Sequence, residues 1–384
     1  MAQSKLRQKS LSAEPKPSLV LESFAQYQSD VPHIPFALPA GQLVPTPPND
    51  TYDAHLNAQQ RLYDPGLAPR RAVEDAQLAE SQARLRVSLF GLRQNVNDSF
   101  FASLRAQTQI AELETTITDL EAQARVAATR VREGAALPSE ELALRAELLR
   151  RRQSVAEFAA TRRASLEVLA DLTGKALDSV SVLGTPDLAD EVARARSSLG
   201  DVRARAEYEQ FARTRNLLSR QEQARAAQDK PRVSAYARVG YGQPGINPLN
   251  DGFDSYWLAG VQLQWTPWTW GTTSREREVL VLQRQIVSAE EQNFTDNLRR
   301  SVALDLASID RLAGALAADD EIVALRERIA AETRVRFGEG VVTSAEYVDR
   351  ETDVLSARIS RATHRVELAQ ARARFLTTLG IEVR

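Results

Sequence analysis

The chain has 384 residues, 49 Lys and Arg against 51 Asp and Glu, a formal net charge of -2 and no cysteine. That charge gives no reason to expect nucleic acid as a partner, and without cysteine neither a disulfide framework nor a thiolate metal site can form. No apolar run reaches the roughly 18 residues a membrane helix needs, a criterion that the short alternating strands of a β-barrel escape.

The first residues, MAQSKLRQKSLSAEPKP (1–17), carry charge but no apolar stretch of the kind found in a secretory signal peptide. Two alternating segments follow. In PSLVLESFAQYQ (17–28), Leu19, Leu21, Ala25 and Tyr27 oppose Val20, Glu22, Phe24, Gln26 and Gln28. In DAHLNAQQRLY (53–63), Ala54, Leu56, Ala58 and Leu62 oppose Asp53, His55, Asn57, Gln59 and Arg61. Period two predicts a strand hairpin. Its connection, 31–52, holds six prolines and reads as an irregular exposed loop.

After LYDPG (62–66) the pattern predicts a helix over 68–132, roughly 98 Å long at 1.5 Å per residue. Ile110, Leu113, Ile117, Leu120, Ala124 and Val131 form its packing stripe. The phrase RVREGAALPSEEL (130–142) then turns the chain. Gly134 stops the helix by adopting a left-handed backbone, Ser139 lies near the next N-cap, and a second helix covers 140–173. Further helices are predicted within 187–228. Period two returns in PRVSAYARVGYG (231–242) and SYWLAGVQLQW (255–265), joined by the loop 243–254. After WTPWTWG (265–271) a helix is predicted over 272–336. The phrase RVRFGEGVVTSAEY (334–347) ends it at Gly338, and Thr343 with Glu346 makes a capping box for a last helix, 344–378. The arginines of the two phrases, Arg130, Arg132, Arg334 and Arg336, suit the C-terminal end of a helix dipole.

The two phrases are copies of one plan. Aligned by glycine, Thr129, Arg130, Val131, Arg132 and Gly134 fall on Thr333, Arg334, Val335, Arg336 and Gly338. The offset then drifts by two residues before the copies close at Gly174 and Gly380. An internal repeat follows, with halves 1–182 and 183–384, each holding a hairpin, a long helix and a shorter returning helix. Four strands cannot close a barrel alone. They either cover a soluble core or close with strands of other subunits.

This order, repeated, resembles the TolC-like outer membrane efflux protein family. PRVSAYARVGYG, WLAGVQLQWTPWTWG and FGEGVVTSAEYVDRETDVL look like its recurring signatures, and the likeness extends from about residue 2 to 380. The resemblance implies a mostly α fold with β, the TolC-like α/β barrel. Three subunits each give four strands to one 12-stranded barrel in the outer membrane of a diderm bacterium, and their helices form a periplasmic tunnel. It implies a channel of a tripartite efflux or type I secretion system. Its partners are a periplasmic adaptor protein, an inner membrane efflux pump or ABC transporter, and outer membrane lipid. By the same map Pro17 falls on Pro231 and 2–13 is a shortened counterpart of the helix before Pro231, as a late or degenerate start would leave it. The alternative is a soluble or periplasmic helical scaffold without a pore.

The resemblance also assigns site residues. Glu346 and Asp349, extended by Asp353, match the acids that line the channel constriction, although helix capping and surface charge account for them equally. Gly134, Pro138, Ser139, Gly338, Gly340 and Thr343 are the candidate adaptor contacts, and each also serves as a plain helix terminator. Trp257, Trp265, Trp268 and Trp270 are candidates for an interfacial girdle at the strand-to-helix junction, or for a core cluster there. His33, His55 and His364 stand apart in sequence, and no HExxH, phosphate loop or nucleophile elbow occurs. Neither catalysis nor a cofactor or metal is expected.

Overall fold

A computed structural model describes residues 2–31, 46–178, 180–197, 205–247 and 252–381. His33, much of the proline-rich loop and parts of the 187–228 and 243–254 connections lie outside the described residues. In chain order the elements are α1 (Ala2–Ala13), β1 (Ser18–Tyr27), β2 (Asp50–Tyr63), α2 (Leu67–Arg132), α3 (Pro138–Thr173), α4 (Ala189–Ser197), α5 (Ala206–Ala226), β3 (Arg232–Gln243), β4 (Asp254–Gln264), α6 (Thr272–Gly338) and α7 (Ser344–Leu379).

They form two compact units, Met1–Arg84 with Gln210–Glu290 and Leu85–Glu209 with Glu291–Arg384. Each unit draws on both sequence halves, and the boundaries fall inside α2, α5 and α6. The first unit carries one antiparallel sheet in the order β1-β2-β3-β4. Its middle pairing joins β2 to β3, strands from different halves of the chain. The period-two pattern marks each strand but says nothing about this neighbour choice.

The second unit is a set of long helices around α7. The buried residues of α6 include Leu298, Val302, Asp305, Ile309, Leu312, Asp319, Val323, Ala330, Thr333 and Phe337. All fall on one alternating 4–3 spacing, a heptad seam, so the helix packs with a repeat of about 3.5 residues. The same repeat shifts the buried stripe of α2. Leu113, Thr116, Leu120 and Ala127 are buried, while Ile110, Ile117 and Val131 are only half-buried. A stripe chosen by side-chain polarity passes over Thr116, whose hydroxyl is satisfied by the carbonyl of Leu113 at 2.9 Å.

Polar seam residues fix the α6–α7 register. Asp305 accepts from Thr378 Oγ1 at 2.7 Å, and Asp319 bonds the His364 ring. The two pairs are two heptads apart on both helices, as antiparallel packing requires. On its other side α7 meets α2, where Asn97 donates to Thr377 at 3.0 Å and Gln109 to Thr363 at 3.4 Å.

The two helical turns set the correspondence between the sequence copies. Gly134 and Gly340 adopt positive φ (72° and 74°). Gly134 N–H donates to Val131 and Ala135 N–H to Arg130, and Gly340 N–H donates to Phe337 and Val341 N–H to Arg336. Both are left-handed glycine closures of a helix C-terminus. The N-caps Leu137 and Thr343 and the C-caps Gly174 and Gly380 keep the same separation of 206 residues. Gly338 is therefore the last residue of α6 and not its terminator. The repeated arginine phrase is two residues out of structural register, and no drift occurs between the turns and the closing glycines.

The caps differ between the copies. Thr343 Oγ1 accepts from Glu346 N–H at 3.2 Å. Ser139 is not the N-cap of α3; Leu137 occupies that position without a side-chain bond, and Pro138 begins the helix. Thr343→Ala should cost about 1 kcal/mol and speed amide exchange in the first turn of α7. Ser139→Ala should leave α3 unchanged in the same measurement.

Candidate functional site

Two places bring sequence-predicted residues together, one in each unit. In the sheet, the strand register sets Leu21, Leu56, Val239 and Trp257 in one cross-strand row and Leu19, Ala58, Ala237 and Ala259 in the next. The apolar faces of four separate strands become one surface. It is open to solvent, with Leu21 and Trp257 both 77% exposed. An apolar surface of this extent calls for a partner or a lipid phase.

The opposite face is polar and crowded. A Cβ on Gly240 would lie 2.7 Å from both His55 Cβ and the ring end of Tyr256, and one on Gly260 would lie 2.6 Å from the Tyr236 hydroxyl. Tyrosine rings thus lie over the two glycines and fill the space a side chain would take. Crowding on one face and openness on the other is what coiling toward the polar face produces. Across this face runs a polar chain. Glu22 on β1 lies 3.0 Å from His55 Nε2 on β2, His55 Nδ1 bonds Asp53, and Tyr256 on β4 donates its hydroxyl to Asp53. His55 is only 5% exposed. Among the described residues, strands β1 and β4 are paired on one side only, so both sheet edges present unpaired backbone.

All four tryptophans are exposed, which rules out a core cluster. Trp265, Trp268 and Trp270 do sit at the junction of β4 and α6. Trp265 Nε1 donates to Asp229 O at 3.0 Å, and Trp268 meets Trp270 edge-on with ring centroids 5.8 Å apart. Trp257 does not join them. It lies eight residues back along β4, about 26 Å at ~3.3 Å per residue, toward the end where Phe253 stacks on Tyr241 and Tyr52.

In the helical unit the two turns lie side by side. Leu120, Ala127 and Leu144 from α2 and α3 form one buried cluster with Phe337 and Tyr347 from α6 and α7. Arg130 reaches across from α2 and donates to the carbonyls of Phe337 and Gly338. It therefore caps the neighbouring helix rather than its own. Arg334 pairs with Glu351 at 3.0 Å and Asp119 at 3.5 Å. Burial, with Glu351 close by, pushes the Tyr347 phenol up to about 12, so it stays neutral.

Gly134, Pro138, Ser139, Gly338, Gly340 and Thr343 are all exposed around this cluster. Glu346 and Asp349 are also exposed on α7, and neither has an ion-pair partner among the described residues. Asp353 differs from them. Its Oδ2 accepts from Arg326 at 2.8 Å and Arg350 at 3.2 Å, so its charge is already matched within the chain.

Sequence reasoning passed over the polar chain and the two glycines beneath the tyrosines. The alternation of PRVSAYARVGYG put Tyr236 and Gly240 on the polar face, but only the register shows which ring covers which glycine.

No protein-family profile matches the sequence, and no curated protein does. Solved structures do. The chain is similar to the outer membrane protein VceC from Vibrio cholerae, with a TM-score of 0.71 at 14% identity over 100% of this chain and 91% of that one. It is similar to CusC, described for folding and transmembrane channel formation, with a TM-score of 0.72 at 15% identity over 99% and 87%. It is also similar to the open state of the Neisseria gonorrhoeae MtrE outer membrane channel, with a TM-score of 0.69 at 16% identity over 99% and 84%. Four antiparallel strands with an open apolar face, two long helices and two shorter returning ones therefore add up to the fold that these solved structures share, and the likeness covers 99% or more of this chain.

Proposed function

We propose that the protein is an outer membrane exit duct, in which three copies close one 12-stranded barrel and their helices line a passive conduit. The observation that carries this reading is the sheet, with its solvent-open apolar face, crowded polar face and two unpaired edges. A barrel shared between copies covers the first with lipid, turns the second inward and pairs the third. The two repeats then supply equivalent helix pairs to the tunnel. An adaptor protein docks on the exposed turn residues, and an inner membrane pump or ABC transporter supplies the energy. A scaffold in water leaves the apolar face without a partner.

Under this reading the aromatic residues form two belts, not one. Trp257, Tyr27 and Tyr241 belong to the first, and Trp265, Trp268 and Trp270 to the second. Their separation along the strand suits an apolar band of about 25 Å.

The deciding experiment is mass and conductance of detergent-solubilised protein. A trimer that forms single channels in a planar bilayer is expected. A stable monomer in water that needs no detergent would overturn the proposal and favour the scaffold. In the conducting trimer, Glu346 and Asp349 place like carboxylates around one axis and favour cations. The double variant Glu346→Ala with Asp349→Ala should lower the cation-to-anion permeability ratio several-fold. Asp353→Asn should change it far less, because Arg326 and Arg350 already balance that charge.

A further inference from the structure

Where β2 runs into α2, a cavity of about 340 Å³ opens on the polar face of the sheet. The register sets it on that face. Ser18, Gln59, Arg61, Arg232, Ser234 and Gln264 line the cavity, and they alternate in step with Glu22, His55, Gly240 and Tyr256. The charged side chains of the lining are Lys16, Arg61, Arg70 and Arg232 against Glu14 and Asp64. Four cations thus face two carboxylates, an excess of two positive charges. A concave site focuses the field of such an excess and draws anions to it.

Two of the arginines use up the two carboxylates. Arg70 donates to Glu14 at 2.7 Å and to Asp64 at 2.8 Å, and Arg61 donates to Glu14 at 2.8 Å. These bonds tie the chain just after α1 to the end of β2 and the start of α2, and that role accounts for both arginines as structure. It does not account for Arg232 or Lys16. The Arg232 side chain makes no hydrogen bond among the described residues. Its Nε is enclosed and lies 3.8 Å from Asp64 Oδ1, beyond hydrogen-bond reach. The Lys16 ammonium likewise has no partner among the described residues. Arg70 Nε is also enclosed without an acceptor. Donors outnumber the acceptors that face them, and bringing a third guanidinium and an ammonium up to two others adds repulsion without a bond.

We propose that this cavity binds a doubly charged phosphate group, with Arg232 and Lys16 as the ligands that the fold itself does not use. A phosphate monoester carries close to two negative charges near neutral pH, which balances the excess. The planar fork of a guanidinium matches two phosphate oxygens at once. Ser234, Gln59 and Gln264 add neutral donors to the lining. A lipid phosphodiester carries one charge, and the cavity lies on the face turned away from the apolar surface, so the ligand is not a membrane headgroup. The volume stands at the small end of the range for ligand pockets, about 300–1,000 Å³, which suits phosphate or a small phosphate ester. With the polar face turned inward, as proposed above, the ligand arrives from inside the conduit. Binding itself needs only the residues of one copy.

The test is titration calorimetry of the full-length protein in a phosphate-free, non-ionic detergent near neutral pH. Inorganic phosphate and glycerol phosphate are the separate probes, with chloride at matched ionic strength throughout. Saturable binding of one phosphate group per chain is expected. Arg232→Gln should weaken it by about tenfold, the worth of one charge-assisted hydrogen bond, and Lys16→Gln should weaken it several-fold. Neither should change amide exchange in β2 and β3, because neither side chain holds the sheet. Tighter binding of glycerol phosphate identifies an organic monoester as the ligand, and equal or tighter binding of inorganic phosphate identifies the free ion. No saturable heat with either probe, or an undiminished affinity in Arg232→Gln, overturns the proposal. Should Arg232→Gln fail to fold, Lys16→Gln, on the exposed connection before β1, decides alone by the same criterion. Binding is counted per chain, so its outcome is separate from the trimer mass and conductance that decide the duct.

Discussion

Phe337→Ala should destabilise the turn end of the helical unit by about 3–5 kcal/mol, the range for truncating a buried aromatic residue. Phe337 is buried and stacks on Tyr347 with ring centroids 4.9 Å apart and planes 15° from parallel. The cluster around them is small, with Leu120, Ala127 and Leu144 as its further buried members among the described residues. The partly buried Ala124, Leu148, Val342 and Val348 pack against it, but none has the volume of the phenyl ring that is lost. The larger cluster of the unit, built from Phe101, Leu104, Val366, Phe375 and Leu376, is separate from it. The loss should therefore appear as local opening, not global unfolding. Amide exchange across residues 137–148 and 333–348 should accelerate by a factor of 100 or more, on the order of the equilibrium shift that ~3 kcal/mol produces, while residues 98–106 and 366–379 keep their protection. Equal acceleration in both regions would show that the two clusters unfold as one, against this account. Arg130→Ala should act in the same place with a smaller effect, since it removes bonds to two carbonyls that solvent can replace.

The contrast between the turns and the sheet shows what the amino-acid order carries and what it leaves open. Gly134 is legible because a left-handed helix end leaves few residues to choose from; at the second turn the same rule admits both Gly338 and Gly340, and the repeated phrase points to Gly338 although Gly340 takes the positive φ. Long helices are legible from proline-free periodicity, and strands from alternation. The equivalence of Arg130 with Arg336 rather than with Arg334 is not legible, since a repeated string is persuasive and the bonds that set the register carry no residue preference. Ser139 is misread for a related reason. Ser before two acids has the composition of an N-cap, but Pro138 already fixes the first helical residue. Residue type groups Trp257 with the other tryptophans, while strand rise separates it from them. The polar chain from Glu22 to Tyr256 is the least legible feature. It joins residues 203 positions apart in sequence through a pairing of β2 with β3 that no local pattern specifies.

Gly240→Ala should weaken the sheet by about 2 kcal/mol, and Gly260→Ala should do so only until Tyr236 is shortened. Both glycines lie under tyrosine rings, yet their neighbours differ in kind. At Gly260 the contacts nearest a new Cβ, from 2.6 Å, all belong to the outer ring of Tyr236, a side chain that can swing. At Gly240 a new Cβ also meets His55 Cβ at 2.7 Å, and that atom moves only with the β2 backbone. Overpacking costs about 1–3 kcal/mol, and replacing glycine by alanine returns at most about 1 kcal/mol through the unfolded chain. The clash therefore wins at Gly240. A double-mutant cycle separates the two cases. Tyr236→Ser combined with Gly260→Ala should recover most of the stability that Gly260→Ala loses, measured by unfolding in detergent. Tyr256→Ser combined with Gly240→Ala should recover little, because His55 Cβ remains in the way and Asp53 loses its hydroxyl donor as well. Equal rescue at both positions would mean that the rings alone set the spacing of the strands. In that case the sheet is not coiled tightly enough to bring β2 and β3 side chains into contact at Gly240.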